Sequence, residues 1–451
     1  MSFQLTKEFI GSLQTKIEEQ DLSFLKEEIL TLHPADIAEI FSEIRLEEAK
    51  FIFDLLGYER SALVLMELTE EQQDKLLSAY DSQFIADHLI EHLESDDAAY
   101  ILSKLGEDKK REVLSKIEDL EQASDLADIL RYEEGTAGAF MAKEMIKVSH
   151  NWSVTECIKE MRKQAQEVER VRTIYVIDDF GKLLGTLSLK GLLFASAKSP
   201  IKKLYSAEII SVNAKQSREE VAKIMNKYDL DVLPVVDDIN RLLGRITIDD
   251  VVDFIKEEAD KDYQIASGYS EVVESSDSVW TLSRSRLPWL LIGLLGGVLG
   301  SRVIAIYEEE LKLNPEMAFF IPLIAAMAGN AGVQSSAIVV QALANQSLGL
   351  GGIKSKLWKE IKVSLISGIT CSAVILLYSM ISGTETNLGL TVSIALLSVI
   401  IFATLFGTVT PLLLNKYKID PAIATGPFIT TVNDIFGLFL YFVIGRLMYM
   451  P

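Results

Sequence analysis

Residues 424–450 read ATGPFITTVNDIFGLFLYFVIGRLMYM, an apolar segment long enough to cross a bilayer as one helix. Its single acidic residue, Asp434, lies about ten residues from the start and therefore near mid-bilayer. A carboxylate at that depth costs at least ~2.5 kcal/mol and usually marks an ion or proton path. The alternative is a polar residue satisfied by neighbours such as Thr430 and Thr431. We favour the first interpretation, which makes the chain a candidate cation conductor.

Four further apolar segments without any acidic residue precede this one. Each is long enough to cross the ~30 Å hydrocarbon core of a membrane. The sequence therefore predicts five transmembrane helices, at 287–307, 317–343, 363–381, 390–414 and 424–450.

The charges of the loops between these segments predict their orientation. Loops 350–362 and 415–420 are rich in lysine, whereas loop 308–316 is mostly acidic and loop 382–389 has no basic residue. Positively charged loops stay on the cytoplasmic side. The N-terminal region should therefore be cytoplasmic and the C-terminus outside.

Charge divides the 451 residues into two parts. Residues 1–283 carry 57 acidic and 33 basic side chains, and residues 284–451 carry 8 and 11. This excess of acidic residues in the soluble part argues against nucleic-acid binding, because such binding requires basic patches. It can concentrate cations, or it can simply be a solubilising surface.

Two cysteines, Cys157 and Cys371, exclude a disulfide framework and suit a reducing cytosol. The N-terminus lacks the apolar core of a secretory signal.

The first 132 residues are predicted to be helical. Apolar residues recur at three- and four-residue spacing in 36–44, 84–93 and 98–105, with acidic or Ser residues near the starts as caps. The similar units ADIA at 35–38 and DDAA at 96–99 favour a stacked array of helical hairpins.

Residues 138–257 contain a repeat. VIDDFGKLLG at 176–185 matches VVDDINRLLG at 235–244, and an amphipathic helix precedes each copy, at 154–164 and 218–227. Each copy continues with a helix that starts near Lys190 or Asp249. This pattern resembles a tandem pair of cystathionine-β-synthase (CBS) domains, which often bind adenine nucleotides.

The two copies differ in the G-x-x-T-x-x-D pattern that holds a ribose in CBS domains. The second copy keeps it, with Thr247 and Asp250 after Gly244, whereas the first has Gly191 in place of the acid. The resemblance therefore favours one nucleotide site, with ATP as the candidate ligand, over two. A charged helix, DDVVDFIKEEADKDYQI at 249–265, then leads through a polar connector to the first span. This helix is either a solvated linker or an element with a mechanical role between the CBS pair and the first span.

Two intramembrane stretches are polar and rich in small residues, GNAGVQSS at 329–336 and TTVNDIFG at 430–437. Small residues can serve helix packing alone. However, oxygen-bearing side chains suit hard cations, and Gly and Pro free backbone carbonyls to line a wet cavity. Since no Lys, Arg or His joins these stretches, they indicate a cation site, with magnesium favoured by the residue types.

These features together resemble the MgtE family of magnesium transporters over essentially the whole chain. The resemblance implies a multidomain membrane protein: an all-α superhelical N-domain (1–132), an α/β tandem CBS pair (133–257), a connecting "plug" helix and linker (249–283) and a five-helix transmembrane domain (284–451). It also implies a homodimer in a bacterial plasma membrane, with a pore on the two-fold axis between the second and fifth spans.

The resemblance further implies two sets of functional residues. The first set lines the pore, with Asp434 of both protomers as the selectivity-site ligand: Gly329, Asn330, Gln334, Thr430, Thr431 and Asp434. The second set binds cytosolic Mg²⁺, which holds the pore shut: Asp96, Asp97, Glu219, Asp229, Asp249, Asp250, Asp253, Glu258 and Asp262. Three positions depart from the family pattern, where related sequences can carry an acid or a polar residue: Leu63, Ser217 and Gly426.

Three alternatives remain open at this stage. HLIEH at 88–92 fits the inverted zinc-protease motif H-x-x-E-H, with His33 or His150 among the candidate third ligands. Two copies of Asp434 across a dimer could form an aspartyl hydrolase, although the Gly-x-Gly-Asp motif is absent. A secondary-active divalent cation exchanger regulated by nucleotide at the CBS pair is the third, and an odd number of spans argues against it.

Overall fold

The computed structural model describes residue 3 and residues 5–165, 168, 170–273, 277–344, 352–424 and 426–449. The start of the lysine-rich loop predicted at 350–362 and Met450 of the fifth predicted span lie outside these residues. The chain divides into two compact units, residues 1–255 and 256–451. The boundary falls inside one helix, and each unit has hydrophobic core residues of its own.

The N-terminal part of the first unit consists of short helices packed around buried aliphatic side chains such as Ile37, Ile52 and Leu65. Side chains of Asp21, Asp81 and other polar residues cap their starts. The helices are α1 Lys7–Glu18, α2 Leu22–Phe24, α3 Pro34–Glu43, α4 Leu46–Leu55, α5 Tyr58–Glu67, α6 Glu70–Ser78, α7 Ser82–Phe84, α8 Ser95–Lys104, α9 Glu107–Leu114 and α10 Leu120–Ile129.

Residues 84–92 are helical, as predicted, but they do not form one regular α-helix. A π-helical turn at Ile85–Leu89 and a 3₁₀ turn at Ile90–His92 replace it. A second π-helical turn, Leu25–Ile29, likewise follows a short helix capped by an Asp, so the same Asp-x-x-Phe unit occurs twice. This recurrence confirms a repeated helical architecture, and the repeat is longer than the ADIA and DDAA units that indicated it.

The CBS region contains two three-stranded sheets, ordered β1-β2-β3 and β4-β5-β6. In each, the first two strands are parallel and the last two antiparallel, with a bulge after Val176 and after Val235. The predicted tandem repeat is therefore confirmed at the level of register. The elements are β1 Ile146–Ser149, α11 Val154–Gln164, β2 Ile174–Ile177, β3 Leu183–Leu187, α12 Leu189–Phe194, β4 Val212–Asn213, α13 Arg218–Tyr228, β5 Val232–Val236, β6 Leu242–Thr247 and α14 Ile248–Ala266.

The second unit is helical in its described residues. Five of its helices are long and apolar enough to cross a membrane, in agreement with the five predicted spans. The most buried is α19 (Thr386–Lys416), and glycines allow its neighbours to approach: a Cβ on Gly407 would lie 2.3 Å from the carbonyl oxygen of Gly332 in α17 (Ile321–Ala344). The helices are α15 Val279–Ile306, α16 Glu308–Leu313, α17 Ile321–Ala344, α18 Gly352–Ser382, α19 Thr386–Lys416 and α20 Pro427–Tyr449.

Candidate ion pathway and regulatory sites

Asp434 lies on α20 against α17. The contact point on α17 is Gly329, where a Cβ would lie 3.3 Å from Oδ1 of Asp434 and 2.9 Å from Cγ2 of Thr430. The Oδ1 atom is buried and has no hydrogen-bond partner among the described residues. A buried carboxylate oxygen without a donor is costly, so this position suits a bound cation.

The predicted pore residues divide into three groups. Gly329, Thr430 and Asp434 lie together, and the hydroxyl of Thr430 donates to the carbonyl of Gly426 at 3.0 Å. Thr431 instead packs against α15, where its Cγ2 occupies the space that a Cβ on Gly296 would need. Asn330 and Gln334 are exposed on the surface of α17 and, being four residues apart, share one face.

Asn433 is a residue that sequence reasoning left out of the pore set. Its side chain is fully buried, and neither its amide oxygen nor its amide nitrogen has a partner among the described residues. It packs on Gly332, where any side chain would overlap its Nδ2 atom. Its position beside Asp434 in a polar run was the signal that could have identified it.

After Asp434, the second acidic site is a group of carboxylates near the end of α14, within the second unit. Burial, together with the charges of Asp420 and Glu258, raises the pKa of Asp262 above its usual value. Lys261 pairs with Glu258 at 3.1 Å and offsets part of this repulsion. Asp420 was missed because it follows the lysines of the loop between the fourth and fifth spans and therefore reads as ordinary loop polarity.

A third acidic group lies in the first unit, where the start of α8 faces the start of α14. Burial and the neighbouring carboxylates of Asp250, Glu94 and Glu144 raise the pKa of Asp97 to about 7. Burial, followed by the charges of Asp97 and Asp250, also raises the pKa of Asp96 well above its usual value. Of the predicted regulatory set, Asp96, Asp97 and Asp250 therefore lie close enough to influence one another's ionisation.

Two arginines already bind parts of this acidic group. Arg245 is 6% exposed and donates from Nη2 to both carboxylate oxygens of Glu94, at 3.0 and 2.8 Å. Arg172 pairs with Asp249 at 2.8 Å. Within the part of the chain that the structure describes, no three His, Cys, Asp or Glu side chains converge so as to hold a metal ion. Metal binding by the regulatory set therefore stays a prediction.

The other predicted regulatory acids are more exposed. Glu219, Asp229 and Asp253 lie at the surface, and none forms an ion pair with another described residue. Asp229 ends α13 in the left-handed conformation, with φ of 52°.

A cavity of about 480 Å³ lies between the two CBS copies. It is lined by Arg172, Tyr175, Glu208, Asp229 and Asp231, among others. The predicted ribose residues are not in this lining. Instead, Thr247 donates its hydroxyl proton to the carboxylate of Asp250.

The zinc-protease motif does not form a metal site. His88 stacks on Phe84, with ring centroids 4.3 Å apart, and also contacts Tyr58. Glu91 accepts a hydrogen bond from the backbone N–H of Glu118. The break between the π turn and the 3₁₀ turn also removes the regular helix that would align His88 with His92.

Three family models match different regions of the chain. The family model of the MgtE divalent cation transporters matches residues 321–444, that of the MgtE intracellular N domain residues 32–135, and that of the CBS domain residues 137–198 and 201–257. A crystal structure of the cytosolic domain of the Mg²⁺ channel MgtE in complex with ATP is similar, with 31% identity, a TM-score of 0.51 and coverage of 54% of this chain and 99% of that one.

Two full-length relatives are magnesium transporters rather than enzymes. The chain is 31% identical over 411 residues to MgtE of Bacillus subtilis, covering 91% of each chain. It is also 31% identical over 450 residues to MgtE of Thermus thermophilus, covering 97% of this chain and 98% of that one. With such similarity over nearly its whole length, the chain belongs to the MgtE family of magnesium transporters.

Proposed function

We propose that the chain forms a homodimeric, magnesium-selective channel that cytosolic magnesium closes. The observation that carries the pore is the buried Oδ1 atom of Asp434, which has no hydrogen-bond partner among the described residues and lies beside the bare backbone of Gly329. Two such carboxylates, one from each protomer on a two-fold axis, form a site for one hydrated divalent cation. Mg²⁺ suits it because it dehydrates reluctantly and is often held by few carboxylates through its waters.

The gating proposal rests on the acidic groups at both ends of α14. Carboxylates held close together repel each other unless a divalent ion neutralises them. Mg²⁺ at Asp96, Asp97, Asp249 and Asp250 would hold the cytosolic domains together, and Mg²⁺ at Glu258, Asp262 and Asp420 would hold the plug helix at the pore mouth. When cytosolic magnesium falls, repulsion separates these groups and the pore opens.

A nucleotide has a candidate position in the CBS cavity. A relative's cytosolic domain was solved in complex with ATP, and the cavity lining here supplies Arg172 for phosphate and Asp229 and Asp231 for ribose hydroxyls. The second candidate function, a nucleotide-regulated divalent cation exchanger, would use the same cavity. We place the protein in the bacterial plasma membrane, with the N-terminus in the cytoplasm and the C-terminus outside.

Single-channel recording with magnesium varied on the cytosolic face tests the proposal. We expect discrete unitary currents carried by Mg²⁺ whose open probability falls as cytosolic magnesium rises. Slow, saturable flux without unitary currents would favour the exchanger. Currents that ignore cytosolic magnesium would contradict the gating scheme and leave the pore assignment standing.

A further inference from the structure

The end of α14 rests directly on the start of α20 through two glycines. Gly426 precedes α20 and has φ of 55°, and a Cβ built on it would lie 2.3 Å from the carbonyl oxygen of Ala266, the last residue of α14. Gly268 has φ of 88°, and its Cβ would lie 2.8 Å from Cγ of Pro427. Each of the two segments therefore contributes a glycine, without a side chain, to the contact with the other.

The conformation of Gly268 is required by the way α14 ends. The N–H of Gly268 donates to the carbonyl of Ile265 and that of Tyr269 to the carbonyl of Gln264, both at 3.0 Å. This is a Schellman motif, in which the left-handed position is normally glycine. The two bonds satisfy the carbonyls of Gln264 and Ile265, while the carbonyl of Ala266 is directed at Gly426.

The contact continues toward Asp434. The carbonyl of Gly426 accepts hydrogen bonds from the N–H of Thr430 at 3.1 Å and from its hydroxyl at 3.0 Å. Thr430 is one turn before Asp434, and both side chains border the same glycine, Gly329. A shift of Gly426 would therefore move the turn that holds the selectivity-site carboxylate.

We propose that Gly426 is a positioning residue, the seat on which the plug helix closes in this chain. Because the atom opposite is a backbone oxygen, which cannot rotate away, any side chain at 426 must displace the end of α14 or the start of α20. A side chain there keeps the pore mouth from closing fully, even when the acidic sites are filled with magnesium. This inference rests on the proposed gating function and adds a steric requirement to it.

The test is to record the full-length Gly426→Ala channel over a range of cytosolic magnesium. We expect a residual open probability at saturating magnesium about fivefold or more above that of the unmodified chain. Gly383→Ala is the matched control, because Gly383 has a similar φ of 73° but no atom within 4 Å of its added Cβ. It should close normally.

Two outcomes overturn the proposed role of Gly426: normal closure of the Gly426→Ala channel, or an equal closure defect in Gly383→Ala. If Gly426→Ala does not conduct at low magnesium, Gly426→Asn decides, since asparagine tolerates left-handed backbone. Normal closure of Gly426→Asn, or no current from it, also overturns the proposal. Failure of the proposed function is distinguishable, because there the unmodified chain itself would not close with magnesium.

Discussion

Carboxylates occupy two contrasting environments in this molecule. At the start of α8, Asp96 and Asp97 are crowded by Asp250, Glu94 and Glu144, with Arg245 bound to one of them. In the membrane unit, Asp434 faces glycine, and its buried oxygen has no partner among the described residues. The crowded group is stable only when something neutralises it and therefore suits a sensor. The isolated one has an oxygen that no described residue already binds, and it therefore suits a conduction site.

Removing the isolated carboxylate should have the largest effect. We expect Asp434→Ala to reduce magnesium flux about a hundredfold or more, since charge-assisted contacts are worth about 1.5–3 kcal/mol each and the proposed dimer would lose two. Uptake into cells or liposomes measures it, with chromatographic confirmation that the variant has the same oligomeric state as the unmodified chain. Glu309→Ala is the control, because that side chain is 81% exposed in α16, between the first two spans. Normal selective flux through Asp434→Ala would refute the pore assignment.

Neutralising the sensor should leave conduction but remove closure. We expect the triple variant Asp250→Asn, Asp253→Asn, Glu258→Gln to stay open at magnesium concentrations that close the unmodified chain, because fewer charges remain for Mg²⁺ to bridge. Recording from the cytosolic face measures this. The matched control removes three exposed acids elsewhere: Glu67→Gln, Asp74→Asn and Asp108→Asn. Closure retained by the first variant would count against the sensor.

Arg245, which pairs with Glu94 of the crowded group, should contribute to the stability of the folded protein. Arg245→Met leaves Glu94 without its buried guanidinium, and breaking a buried ion pair costs about 3–5 kcal/mol. Arg241→Met removes a more exposed pair with Asp237, in the turn that precedes β6, and should cost at most about 1 kcal/mol. Hydrogen exchange of the α8 segment in the full-length protein compares them. Equal protection in the two variants would show that the pair with Glu94 contributes nothing.

The same contrast explains what the sequence could predict. Five apolar segments and a ten-residue match in the CBS repeat are local patterns, and both were confirmed. The neighbours of Asp434 were only partly predictable, because Thr431 turns toward α15 and Asn433 toward Gly332 for reasons of three-dimensional packing. Asp420 and Arg245 were missed since each gains its acidic neighbours only through folding.

Over one pH unit, the smallest of the expected effects comes from protonation of the crowded group. Burial, followed by the charge of Asp250, raises the pKa of Asp97 to about 7, whereas its unfolded value is near 3.8. Between these values the folded protein holds a proton that the unfolded chain releases. In metal-free buffer, stability should therefore rise as pH falls below 7, by up to about 1.4 kcal/mol per pH unit, and should level off above 7. Thermal unfolding of the full-length protein in chelator measures this, and Asp97→Asn should be less pH-dependent by that amount. Identical pH profiles would show that Asp97 is ionised in the folded protein, and the crowded group would then repel more strongly without metal than we expect.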